Sequence, residues 1–87
     1  MKRTMILYIK QGCPFCARVL DVARELGITF TLKDIAGPAV ASELVALGGK
    51  RQVPYLMDEA HGAEMYESED IVAYLKKHYG MAHGAHD

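Results

Sequence analysis

Both cysteines of the chain lie in one short segment, KQGCPFCAR, which spans residues 10–18. The segment follows the apolar run of residues 5–9 and precedes apolar residues at helical spacing. Pro14 is therefore predicted at the first position of a helix, with Cys13 as its N-cap. A strand that leads through a Cys-X-X-Cys pair into a helix indicates an α/β fold.

The rest of the chain alternates strands and helices in the order β-α-β-α-β-β-α. We predict strands over residues 2–9, 28–34, 53–57 and 63–66, helices that begin at Pro14 and Pro38, and a last helix that follows Ser68. The first βαβ unit implies parallel central strands, and the polar loop 58–62 indicates an antiparallel hairpin. The prediction is a four-stranded mixed sheet flanked by helices over residues 1–80, with a flexible tail over residues 81–87.

Two details of these elements can be checked directly. The second strand is expected to place Ile28, Phe30 and Leu32 on one face. Ser68 is expected to cap the last helix, with Glu69 and Asp70 complementing the dipole of its first turn.

The composition is that of one small globular domain. The 87 residues are 51% apolar and 24% charged, with a formal net charge of -1. This balance argues against nucleic acid as a partner, and the N-terminal apolar run is too short for a signal peptide or a membrane span. We therefore expect a cytoplasmic protein. In a reducing compartment, a close Cys pair indicates redox chemistry or metal binding.

The position of Cys13 predicts a reactive thiolate. Helix N–H groups, the cation of Lys10 and the thiol of Cys16 can all stabilise a negative sulfur at the N-cap. Cys13 is exposed in this scheme and Cys16 is more shielded. We therefore predict Cys13 as the attacking thiolate and Cys16 as the resolving thiol.

A zinc site is the alternative interpretation of the Cys pair. It needs two more ligands, and the candidates are His61, His78, His83 and His86. None of them forms a second pair at zinc-finger spacing, so we expect no metal there. A weak transition-metal site that combines His78 with the two tail histidines, His83 and His86, is a further alternative.

The Val53–Pro54 pair leaves two interpretations open. Pro54 can simply mark the start of a strand. A cis bond facing the cysteines would instead leave the Val53 backbone free to pair with an extended, peptide-like substrate.

Together, three features resemble a glutaredoxin of the thioredoxin-fold superfamily over about residues 4–80. They are CPFC after the first strand, the segment 51–54 (RQVP) before the third, and an acidic and Ser cluster at the last helix. The resemblance implies a thioredoxin-like fold and a cis bond before Pro54. It also implies glutathione as the co-substrate, with no metal or organic cofactor required.

The resemblance further implies a glutathione site. One group would lie near the glycine carboxylate of glutathione: Lys10, Arg51 and Gln52. Val53 would pair with the glutathione cysteine through its backbone beside Pro54, and Phe15 stands where many family members have Tyr. The departure is Glu67-Ser68, which resembles a pair in the N-terminal domain of glutathione transferases. There, the helix start and a hydroxyl would receive the γ-glutamyl carboxylate, and either Glu67 or Glu69 would receive the ammonium.

The implied function is a monomeric, glutathione-dependent thiol–disulfide oxidoreductase that acts on glutathionylated or disulfide-containing proteins. A transferase is disfavoured, because those enzymes carry a second, helical domain and usually one catalytic hydroxyl or Cys. Two competing functions stay open: an iron–sulfur carrier with two chains and two glutathiones, and a thioredoxin-like protein disulfide reductase.

Overall fold

The computed structural model describes residues 5–80, which form a four-stranded sheet flanked by helices. The strands are β1 (Met5–Ile9), β2 (Thr31–Asp34), β3 (Tyr55–Asp58) and β4 (Ala63–Met65). The helices are α1 (Pro14–Leu26), α2 (Pro38–Gly48) and α3 (Ser68–Leu75), and a π-helical turn follows over Lys76–Gly80. The strand order is β2-β1-β3-β4, with β1 parallel to β2 and the other pairs antiparallel. The predicted thioredoxin-like α/β fold is confirmed; the tail predicted over residues 81–87 lies outside the described residues.

Local sequence signals place both ends of α1. Cys13 is the N-cap in an extended conformation, and Pro14 is the first helical residue. Gly27 ends the helix at φ 74°, and its backbone N–H donates to the carbonyl groups of Ala23 and Arg24. A left-handed conformation at this position is the usual role of glycine at a helix C-terminus. The predicted boundaries of α1 are therefore confirmed.

The sheet separates two buried clusters, because successive residues of β1 point to opposite faces. Leu7 faces the cluster that α1 and α3 cover, whose other buried members are Val19, Val22, Ala23, Leu56, Ile71, Val72 and Leu75. Tyr8 faces the cluster under α2, together with Ile35, Ala41, Leu44 and Tyr55. The sheet is thus covered by helices on both faces.

The prediction for the second strand is wrong in its length, but Ile28, Phe30 and Leu32 share one face as predicted, because all three line the same shallow cavity. β2 begins at Thr31, because the backbone N–H of Ile28 is still used in the turn after α1, where it donates to Ala23. Ile28 and Phe30 pack against the core, but Leu32 is 49% exposed. β2 is an edge strand that pairs only with β1, so one of its faces is poorly covered.

The N-cap of the last helix is also corrected. Glu67, not Ser68, occupies that position, and its side chain makes no capping hydrogen bond. Glu67 has φ 69° and ψ 113°, a backbone conformation that is strained for any residue except glycine. Ser68 becomes the first helical residue and is buried.

α1 is the longest helix, with 13 residues. A transmembrane helix needs about 20 apolar residues. Within residues 5–80, no helix has the length and apolarity to cross a membrane.

Candidate functional site

The two thiols lie at the start of α1 in different environments. The backbone N–H of Cys16 donates to Sγ of Cys13 at 3.4 Å, as expected for a Cys at an N-cap. Cys13 is half-buried, less open than the predicted exposed thiol, because its sulfur turns back over the first turn of the helix. Cys16 is buried, with 2% of its surface exposed, as predicted.

These environments separate the pKa values of the two thiols. Burial raises the pKa of Cys13, but hydrogen bonds from the backbone and thiol of Cys16 and from the backbone of Phe15, with the charge of Lys10, lower it overall. Burial is the main reason that the pKa of Cys16 rises to about 11, and the nearby Cys13 raises it further despite a backbone hydrogen bond at Lys10. Cys13 is therefore the more acidic thiol of the pair, and the thiolate is the form of cysteine that acts as a nucleophile.

Replacing Lys10 with Gln is expected to shift the alkylation of Cys13 by iodoacetamide to higher pH. The charge of Lys10 lowers the pKa of Cys13. Without that charge, the thiol stays protonated to higher pH, so the rate falls near neutral pH and recovers in alkaline buffer. Lys77→Gln, in the π-helical turn, is the matched control and should leave the pH profile unchanged. Identical profiles for Lys10→Gln and wild type would contradict the assigned role.

A cavity of about 350 Å³ is lined by Phe15 of α1, by the loop before β3 and by the start of α3. Its lining contains seven of the nine residues predicted for glutathione: Phe15, Gln52, Val53, Pro54, Glu67, Ser68 and Glu69. The Val53–Pro54 bond is cis, as the resemblance implied. The β1–β3 pairing begins at Tyr55, so Val53 lies outside the strand ladder. The fold therefore brings together segments that are distant in sequence.

Two predicted residues do not line this cavity. Lys10 acts on Cys13 through its charge instead. Arg51 lines a separate, mostly apolar groove along α2, beside Pro38 and Val45. In this structure, Gln52 is the only one of the three residues predicted for the glycine carboxylate that lines the cavity.

Sequence analysis missed Arg18, which fixes one wall of the cavity. Its guanidinium binds both carboxylate oxygens of Glu69, with Nε 2.5 Å from Oε2 and Nη2 3.1 Å from Oε1. The hydrogen bond from Arg18 is the main cause of the lowered pKa of Glu69. Arg18 follows Phe15 by three residues, so it lies on the same side of α1, and this spacing was the available signal.

The other acidic residue of the cavity, Glu67, forms a hydrogen bond with a neutral side chain. Nε2 of Gln52 donates to Oε2 of Glu67 at 3.3 Å, a long hydrogen bond between exposed side chains. In the part of the chain that the structure describes, no cationic side chain is paired with this carboxylate. The cavity thus combines the carboxylate of Glu67 with an amide, a hydroxyl at a helix start and the backbone of Val53. These groups suit a small zwitterionic peptide. Among residues 5–80, no three His, Cys, Asp or Glu side chains are grouped to hold a metal ion.

The sequence pattern of the family described as "Glutathione S-transferase, N-terminal domain" matches residues 7–83. The chain belongs to this family. The curated glutathione S-transferase D7 of Anopheles gambiae is 34% identical over 80 residues, 88% of this chain and 36% of that protein. Glutaredoxin-C6 of Oryza sativa subsp. japonica is 37% identical over 54 residues, 58% of this chain and 48% of that protein.

Solved structures agree with the family assignment. The glutathione transferase URE2P6 of Phanerochaete chrysosporium, solved in complex with oxidized glutathione, matches with a TM-score of 0.77 and 26% identity. The match covers 92% of this chain and 38% of that one. The chain therefore spans between about a third and a half of the length of the relatives it matches. The comparisons thus show the glutathione transferase N-terminal domain as the family of this chain, with a glutaredoxin among its similar proteins.

Proposed function

We propose that this domain binds glutathione and works as a glutaredoxin-type thiol–disulfide oxidoreductase. One observation carries the proposal: Cys13 has a lowered pKa at the start of α1, next to a buried Cys16 whose pKa is about 11. This asymmetry suits a nucleophilic thiol paired with a resolving thiol. The substrates would be protein–glutathione mixed disulfides and protein disulfides, reduced in the cytoplasm by a monomer with no resident cofactor.

For a mixed disulfide, the Cys13 thiolate attacks the glutathione sulfur. The old S–S bond breaks, the substrate thiolate leaves and takes up a proton, and a Cys13–glutathione disulfide forms. A second glutathione thiolate then attacks that disulfide, which releases glutathione disulfide and restores the Cys13 thiolate.

For a protein disulfide, the Cys13 thiolate attacks one sulfur, the S–S bond breaks, and the other substrate sulfur leaves as a thiolate that takes up a proton. Cys16 then loses its proton and attacks Cys13, which releases the second substrate thiolate. The resulting Cys13–Cys16 bridge is then reduced by two glutathiones.

The cavity suggests how glutathione is oriented. Glu67 would receive the γ-glutamyl ammonium, because Glu69 already binds the guanidinium of Arg18 with both oxygens. The hydroxyl of Ser68 and the N-terminus of α3 would receive the γ-glutamyl carboxylate. The backbone of Val53 would pair with the cysteine of glutathione, which holds its sulfur near Cys13 and favours attack by proximity.

Replacing Glu67 with Gln is expected to weaken binding of S-methylglutathione, a non-reactive probe, by about tenfold or more. The expected loss is that of a hydrogen bond between charged groups, and Gln keeps the size of the side chain. The matched variant Glu69→Gln removes a carboxylate that is already paired, and we expect a change of about twofold or less. The dissociation constants are measured by calorimetry. A larger loss of affinity in Glu69→Gln than in Glu67→Gln would assign the γ-glutamyl ammonium to Glu69.

The direct test of the proposed function uses the wild-type domain. Its release of glutathione from a glutathionylated peptide is followed in the presence of glutathione, NADPH and glutathione reductase. Turnover well above the uncatalysed rate supports the proposal. No turnover with both thiols reduced would overturn it.

Family membership favours a glutathione transferase activity as the second candidate. In that reaction, the thiolate of glutathione attacks an electrophile, and Cys13 would only donate a hydrogen bond to that thiolate. A Cys13→Ser variant would then keep conjugating glutathione to an aryl chloride. If Cys13→Ser instead loses both the conjugation to the aryl chloride and the release of glutathione from a glutathionylated peptide, the hydrogen-bonding role of Cys13 is excluded.

A further inference from the structure

Tyr66 connects the two walls of the cavity without lining it. It lies between β4 and Glu67, and its phenol reaches the chain that follows α2. The hydroxyl donates to the carbonyl oxygen of Lys50 at 2.7 Å and accepts from the N–H of Lys50 at 3.1 Å. One phenol oxygen therefore binds both backbone groups of a single loop residue.

The packing around this phenol depends on a glycine. A Cβ on Gly48 would lie 2.2 Å from the Tyr66 hydroxyl oxygen and 2.7 Å from the ring carbon that carries it. Gly48 is the last residue of α2, and alanine would be the better helix former there. The absence of a side chain at this position is thus explained by the space that the phenol occupies.

Further contacts hold the ring of Tyr66 in place. Its centroid lies 4.6 Å from that of Tyr55, which is buried, and Nζ of Lys50 lies 4.8 Å above the ring. The two rings are tilted by 49° to each other, and tilted aromatic pairs and cation–π contacts at these distances are both favourable. The phenol is therefore a fixed support for the loop.

We infer that Tyr66 is a positioning residue for glutathione, an inference that rests on the proposed function. Lys50 precedes Gln52 and Val53 by only two and three residues, and Tyr66 directly precedes Glu67 on the opposite wall. The phenol therefore fixes the distance between the loop that carries Val53 and the opposite wall that carries Glu67, and both are proposed to bind glutathione. Without it, the ligand would have to order the loop on binding, which weakens affinity. Cys13 lies at the N-cap of α1, a different part of the fold, so we expect its pKa to be independent of this contact.

The test is the variant Tyr66→Phe, which keeps the ring and removes only the hydroxyl. We expect the dissociation constant for S-methylglutathione and the KM for a glutathionylated peptide to rise by about tenfold, the loss of two ordinary hydrogen bonds. The kcat and the pH dependence of Cys13 alkylation should stay at wild-type values. A purely structural role would lower the melting temperature and leave the dissociation constant unchanged.

Tyr79→Phe is the matched control. It also removes one phenol hydroxyl, but this one donates to Asp58, at the end of β3 remote from Pro54. We expect it to lower thermal stability without changing the dissociation constant. Equal losses of affinity in Tyr66→Phe and Tyr79→Phe would show that the weaker binding results from general destabilisation, and would contradict a positioning role of Tyr66.

Gly48→Ala provides a second, independent variant. Its added methyl group displaces the phenol from Lys50, so affinity should again fall by about tenfold although the tyrosine is retained. Because both variants remove the same contact, the double variant should lose about tenfold and not the hundredfold product. If Tyr66→Phe does not fold, Gly48→Ala alone decides the question.

The outcomes separate the inference from the function on which it rests. Failure of the wild-type domain to bind S-methylglutathione overturns both. Wild-type binding with an unchanged dissociation constant in Tyr66→Phe, or in Gly48→Ala, overturns only the positioning role. A hundredfold loss of affinity in the double variant Tyr66→Phe/Gly48→Ala would contradict the inference that the two substitutions remove the same contact.

Discussion

Replacing Cys13 with Ser is expected to lower the turnover of a glutathionylated peptide by about a thousandfold or more, the usual scale for loss of a catalytic nucleophile. A serine hydroxyl is not ionised near neutral pH and cannot form the mixed disulfide. The change is also nearly isosteric, so binding of S-methylglutathione should persist. The measurement is the coupled assay with glutathione reductase, with calorimetry on the same preparation.

Cys16→Ser is the matched control for this prediction. The mixed-disulfide route uses only Cys13, so this variant should keep most of its turnover with a glutathionylated peptide. It should lose activity on a protein disulfide, for which the second thiol resolves the intermediate. Retained deglutathionylation in Cys13→Ser, or its loss in Cys16→Ser, would contradict the assigned roles.

Replacing Asp58 with Asn is expected to destabilise the domain by about 2–4 kcal/mol, out of a total of about 5–15 kcal/mol for a domain of this kind. Asp58 is 1% exposed and accepts hydrogen bonds from Tyr74 and Tyr79, both at 2.6 Å. Its carboxylate also accepts from the N–H of Ala60 at 3.0 Å and lies 3.0 Å from Nδ1 of His61. An amide accepts through one oxygen only and turns its NH2 group toward donors.

A loss of this size lowers the melting temperature by about 8–32 °C. Thermal unfolding followed by circular dichroism measures it. Asp21→Asn is the control, because that carboxylate forms an exposed ion pair with Arg24 and should contribute at most about 0.5 kcal/mol. Equal melting temperatures for wild type and Asp58→Asn would show that the buried carboxylate is not stabilising.

The contribution of Asp58 also has a defined pH dependence. Burial raises its pKa, but the hydrogen bonds from Tyr74, Tyr79, His61 and the backbone of Ala60 outweigh it and hold the pKa below the usual value. The folded state therefore binds this proton less readily than the unfolded chain, whose Asp pKa is about 3.9. The stabilisation is fully present above that value and is lost as the pH falls through the lower pKa of the folded state. The stability difference from Asp58→Asn should shrink over the same acidic range.

The features that sequence analysis predicted correctly are those with local causes. The extended N-cap at Cys13, the first helical position at Pro14 and the helix end at Gly27 all follow from one residue and its near neighbours. The thioredoxin-like topology follows from the order of such elements. The residues that line the cavity and the cis Val53–Pro54 bond were predicted from the resemblance to a known family. Residue spacing alone did not decide between a cis and a trans bond at this position.

The features that were missed depend on partners that are distant in sequence. Arg18 meets Glu69 only after α1 and α3 pack side by side, and Asp58 is satisfied only when α3 and the π-helical turn close over the end of β3. The exposure of Leu32 follows from the edge position of β2, which alternation along a single strand cannot reveal. Such contacts become visible only once the topology fixes which segments are neighbours.

The fit between Gly48 and the phenol of Tyr66 has an evolutionary consequence. With only 2.2 Å between the hydroxyl and any Cβ at position 48, the two positions are not free to drift separately. Lineages that acquire a side chain at position 48 are expected to carry a smaller residue at position 66, and those that keep tyrosine are expected to keep glycine. The pair should therefore co-vary across descendants of this domain, as residues in contact do.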